Sequence, residues 1–252
     1  MANMNSWENV FPHTFSGSAF DSAALLKANN ISYRVQNHLK QVYTTLAATM
    51  LAATAGSVFY LYTHLSPFLS SIAMMFLLFG LTLESRDVRA ENRVPRLLLF
   101  GFFQGASVGS LVELGLYVSP IVVAQAFVMT VLTFGSFAVM ATLSERRSML
   151  YLYGILASGL SWLTFASLFN VFFQSSSLFG AELYLGLALF VGYVCADSQM
   201  IIERAELGDN DYVRHALELF LDFVAIFVRV LVIFIRSRLD EERKKARKKR
   251  RE

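Results

Sequence analysis

The sequence predicts an all-α membrane protein, a seven-helix transmembrane bundle with the last helix central, and three observations carry that prediction. Of 252 residues, 55% are hydrophobic and 16% charged, with a mean hydropathy of +0.49, too apolar for a domain that keeps its surface in water. Seven apolar stretches approach the roughly 20 residues that cross about 30 Å of hydrocarbon. Basic residues alternate between the connections: 3 before the first stretch, then 0, 4, 0, 2, 0 and 2.

Residues 1 to 41 are polar and mixed, with Pro12, Asn29 and Asn30, and read as a cytosolic arm without the apolar core of a signal peptide. The spans then run Val42 to Tyr62, Pro67 to Leu83, Leu97 to Val118, Ile121 to Leu143, Met149 to Phe169, Leu178 to Ile202 and His215 to Ile235. Short connections and the lack of a linker predict one compact bundle over 42–235. Small residues recur at packing intervals: Ala48, Ala52 and Gly56; Gly101, Gly105 and Gly109; Gly154 and Ser158. Such stripes let helix backbones approach closely in lipid.

Residues 236–252 form a basic tail holding ten of the 22 Lys and Arg. The alternation puts the amino terminus in the cytosol, and a full seventh crossing would then put this tail on the opposite side. Either the seventh segment re-enters on the cytosolic side, or it crosses and the tail disobeys the charge rule; a cytosolic tail is the expectation. The tail's charge can meet anionic membrane lipid or an acidic, calmodulin-type partner. A terminal basic block without interleaved aromatics argues against nucleic acid as a partner.

Ionisable residues inside spans demand an explanation, because each costs a few kcal/mol at the bilayer centre, about 2.5–3.5 on insertion scales. Glu113 and Glu182 lie close enough to span ends to reach the interface. Glu218, Asp222 and Arg229 fall at about 0°, 40° and 20° on a helical wheel, a polar stripe that places the seventh segment in the middle of the bundle. Counting inward from the connection between the sixth and seventh spans puts Asp197 and Asp222 at similar depths, about 9 and 12 Å. Two carboxylates facing each other in a dry site must share a proton or be neutralised by a cation such as calcium. The pair is therefore read as a proton- and calcium-sensing site. A structural latch, with Arg229 or the basic second connection (Arg86, Arg89, Arg93, Arg96) as partner, is compatible with it.

Other chemistry finds no support. Gly208-Asp209-Asn210-Asp211 lacks the later ligands of a calcium-binding hand and reads as a solvated turn. His13, His38, His64 and His215 are scattered without metal-ligand spacing, and a single cysteine, Cys195, rules out a disulfide framework. No nucleophile elbow, phosphate loop or zinc helix is present, so no enzyme activity and no cofactor are expected.

The stretches Glu182-Leu183-Tyr184-Leu185-Gly186-Leu187, Asp197-Ser198-Gln199, Gly208-Asp209-Asn210-Asp211-Tyr212 and Leu219-Phe220-Leu221-Asp222-Phe223 resemble the Bax inhibitor-1 family. Val35 to Tyr43, Gly105 to Gly109 and Arg146-Arg147 extend the resemblance from about residue 25 to the tail, with the flavour of a plant member. It implies an endoplasmic reticulum protein that suppresses cell death and lowers stored calcium through a pH-sensitive leak. It also implies that Asp197 and Asp222 form the sensing pair, latched by an arginine for which Arg86 is the nearest match and Arg89 and Arg93 are rivals. Ser198 for a usual threonine, Ser110 for a proline and Gln104 for an acid depart from the family pattern. The competing reading is a non-transporting scaffold that works through partners such as calmodulin or lipid-modifying enzymes.

Overall fold

The computed structural model describes residues 32–83, 90–143 and 149–249. They form α1 (Tyr33–Thr63), α2 (Pro67–Leu83), α3 (Ala90–Val118), α4 (Pro120–Leu143), α5 (Met149–Phe173), α6 (Ser176–Glu206) and α7 (Tyr212–Lys249). The chain is an all-α, multi-pass membrane bundle: α1, α3, α4, α5 and α6 are each long and apolar enough to cross, and α2 is a shorter apolar helix. Several helices outrun the apolar stretches because their polar ends stay helical outside the hydrocarbon, where water satisfies the terminal backbone groups.

Local chemistry fixes the ends. The Ser32 hydroxyl accepts from the Val35 N–H at 3.4 Å and starts α1. His64 closes α1 in the left-handed region (φ 47°), donating its N–H to Tyr60 O at 2.7 Å. At the α6–α7 turn, Gly208 takes φ 99°, a value that favours glycine, and Asp211 Oδ1 accepts from Arg214 N at 3.1 Å to cap α7. The acidic turn is thus a helix start. Among the described residues no cluster of three or more His, Cys, Asp or Glu could hold a metal.

α7 is central, though by packing against α1, α3, α4 and α6 rather than against all six others; α2 packs chiefly on α3, and α5 on α6. Phe220, Ile226 and Leu231 of α7 are fully buried. The glycine stripe of α3 packs against α1, where Gly101, Gly105 and Gly109 face Thr49, Ala53 and Tyr60, and Gly56 faces Phe102. A Cβ on Gly56 would stand 1.9 Å from Phe102 O, and one on Gly105 1.8 Å from Ala53 O, so these backbones touch as only glycine allows. The α5 stripe does not pack this way: Gly154 and Ser158 are exposed, with nothing within 4 Å of a Cβ on Gly154.

The seventh segment is not re-entrant in this structure. α7 is one unbroken helix of 38 residues, about 57 Å long, running from the acidic turn to Lys249, and along it Arg236 stacks on Phe179 at 4.3 Å near the start of α6. Val35, at the start of α1, packs instead on Ile202 and Ala205 at the other end of α6. The start of α1 and the tail therefore leave the bundle at opposite ends. A helix whose backbone bonds are all internal has no need to turn back in lipid.

Candidate functional site

The site is a seam between the antiparallel helices α6 and α7. On α6, Gly186, Phe190, Asp197 and Arg204 fall within about 40° of one another on the helical wheel, and on α7 Glu218, Asp222 and Arg229 do the same. Antiparallel packing sets the two rows against each other. Arg204 Nη1 meets both Glu218 carboxyl oxygens at 3.2 Å, Asp197 meets Asp222, and Gly186 and Phe190 receive Arg229.

The carboxyl groups of Asp197 and Asp222 lie within hydrogen-bonding reach of each other. Asp222 is 5% exposed, and its Oδ2 has no protein partner. Two carboxyl groups that close, in surroundings that solvate charge poorly, are held together by a proton between them; with both ionised they repel or draw in a cation. Counting along the helices as built, the pair lies about 14 and 15 Å from the ends of α6 and α7 at the acidic turn.

The remaining expected residues separate into distinct contacts. Glu218 sits one turn from Asp222 and is held by Arg204 and by Arg214 Nε at 3.3 Å. Arg93 does not latch the aspartates. It is buried where α2 ends and α3 begins, with Nη1 on Asp211 Oδ2 at 2.5 Å and Nη2 on Leu81 O at 3.2 Å. The cap of α7 supplies the carboxylate within its reach, so it ties the α6–α7 turn to α2 instead. Arg86 and Arg89 lie outside the described residues. Arg229 likewise pairs with no acid among the described residues: its Nη1 donates to Ala225 O at 3.0 Å and its guanidinium lies 4.4 Å from the Phe190 ring centroid. Toward the span ends, His64 Nδ1 lies 3.6 Å from the half-exposed Glu113 carboxylate.

Sequence reasoning missed the contacts of four residues. Tyr153 of α5 donates its hydroxyl to Asp197 Oδ1, and its ring packs edge-on against Tyr193 with centroids 6.3 Å apart. Arg204 closes the seam at the acidic turn, a role its spacing of seven from Asp197 signals once α6 is drawn on a wheel. His38 Nε2 and His215 Nδ1 stand 2.9 Å apart where α1 crosses α7, and both rings are buried. No local spacing announces a contact between residues so distant in sequence. The apolar cavity of about 430 Å³ between α1, α3, α4 and α7 lies against the opposite face of α7, at Phe220, Phe223 and Phe227, and does not include the acid pair.

A seven-helix membrane bundle with a buried acid pair on its last two helices is the class that fold and site define. The sequence model of the family described as "Inhibitor of apoptosis-promoting Bax1" matches residues 35–238. The chain is 40% identical to "Bax inhibitor 1" of Arabidopsis thaliana over 242 residues, 95% of this chain and 97% of the relative. It is 41% identical to that of Oryza sativa subsp. japonica over 255 residues, covering 97% and 98%, and 39% identical to that of Homo sapiens over 225 residues, covering 88% and 95%. The chain belongs to the Bax inhibitor-1 family.

Proposed function

We propose that this chain is an endoplasmic reticulum membrane protein that restrains programmed cell death by acting as a pH-sensitive calcium leak gated at Asp197 and Asp222. The observation that carries this reading is the meeting of those two carboxyl groups within a buried interhelical seam. A shared proton binds α6 to α7 and leaves one negative charge; losing it leaves two, which favours a divalent cation between the helices and weakens their contact. Proton and calcium ion therefore compete for one site. Membership of a family whose relatives are called Bax inhibitor 1 supports the cell-death outcome.

The purified chain in calcium-loaded liposomes tests the reading. Flux is expected to change severalfold across the titration of the pair. In Asp197→Asn and Asp222→Asn, which fix a neutral side chain, the pH profile is expected to flatten. An unchanged profile in both variants refutes the gate. The scaffold alternative draws on the rigid basic helix that α7 extends beyond the bundle, a handle for a calmodulin-type protein or a lipid-modifying enzyme. Liposomes that pass no calcium while the tail still captures such a partner would favour it.

A further inference from the structure

Beyond Asp222 on the same face of α7, seven residues and about 10 Å further along the axis, stands Arg229. Space for its guanidinium exists only because residue 186 is a glycine: a Cβ there would fall 2.4 Å from Arg229 Nε. The Phe190 ring covers the charge and the Ala225 carbonyl accepts one of its protons. Among the described residues no carboxylate pairs with it. Glu182, one turn before Gly186 on α6, directs Oε2 toward Ser167 Oγ at 3.3 Å and leaves Oε1 buried without a hydrogen-bond partner. The seam thus carries a negative pair followed by an uncompensated positive charge, each seated by side chains of α6.

We propose that Arg229 is the electrostatic barrier of this pathway, the residue that limits divalent cations more than monovalent ones after they leave the aspartate pair. The proposal rests on the leak reading above. Repulsion by a fixed charge scales with the charge of the passing ion. Whatever factor Arg229 imposes on potassium, it imposes the square of that factor on calcium.

The full-length chain in liposomes, assayed separately for potassium and calcium flux, tests this. Arg229→Gln is expected to raise potassium flux about threefold and calcium flux about tenfold. Arg229→Lys, which keeps the charge, is expected to stay within about twofold of the wild-type chain. Arg229→Met, apolar and unbranched, replaces the glutamine variant should the latter not reconstitute. An equal rise for both ions, or no rise in either, overturns the proposal. Absence of calcium flux from the wild-type chain sinks the leak reading itself and this inference with it; flux indifferent to residue 229 sinks this inference alone.

Discussion

At the scale of single residues, the contact between His38 and His215 makes a sharp energetic case. The two rings hydrogen-bond at 2.9 Å, while His38 Nδ1 and His215 Nε2 are buried without a partner. Removing one ring strands a polar nitrogen of the other in an apolar site, whereas removing both leaves only packing to repair. His215→Leu is therefore expected to cost about 1–3 kcal/mol, and the His38→Leu/His215→Leu double variant less than the two singles combined. Denaturation in detergent, run as a double-mutant cycle, measures the coupling. The residue scale is also where the sequence was least legible. Asp197 and Asp222 could be placed together by counting depth from one connection, because helical rise is constant. His38, Tyr153 and Arg93 could not, because their partners depend on which helices pack side by side. Arg93 was read among latches for the aspartates, and it found Asp211 instead.

Helices as units obey a simpler rule, and the glycines expose it. Gly105 presses on Ala53 O, so Gly105→Ala must push α1 from α3 and is expected to destabilise the bundle by at least about 1–3 kcal/mol. Gly135 of α4 has nothing within 4 Å of a Cβ, so Gly135→Ala is expected to be neutral or to stabilise by up to about 1 kcal/mol through helix propensity. Apparent melting temperatures of the two variants in one detergent should move in opposite directions or differ by several degrees. A reversed order would mean that α1 and α3 are not in contact in the membrane. The seven helices were legible as apolar runs, and the α3 glycine stripe and Gly56 of α1 as a packing face. The α5 stripe misled because small residues at regular spacing mark a possible contact face without naming a partner, and Gly154 and Ser158 are exposed.

On the scale of the whole molecule, the course of α7 governs topology. Its unbroken path predicts that reporters attached near Tyr33 and beyond Lys249 are protected on opposite sides of the membrane. Cysteine-labelling or protease accessibility in sealed vesicles checks this; reporters on the same side would show that α7 does not cross. Charge counting alone was undecided here, because ten basic residues in the tail oppose the alternation of the shorter connections. A calmodulin-type partner reaches the tail only where the tail faces the cytosol, so the same measurement decides whether that partner is possible. Past Ile235 the helix continues for about 21 Å through Lys249. A stiff rod anchored at the molecule's centre is a lever. Whatever grips its outer end and tilts the axle on which Asp222 and Arg229 are mounted is expected to change proton binding at the acid pair, and protonation is then expected to change the grip by the same free energy.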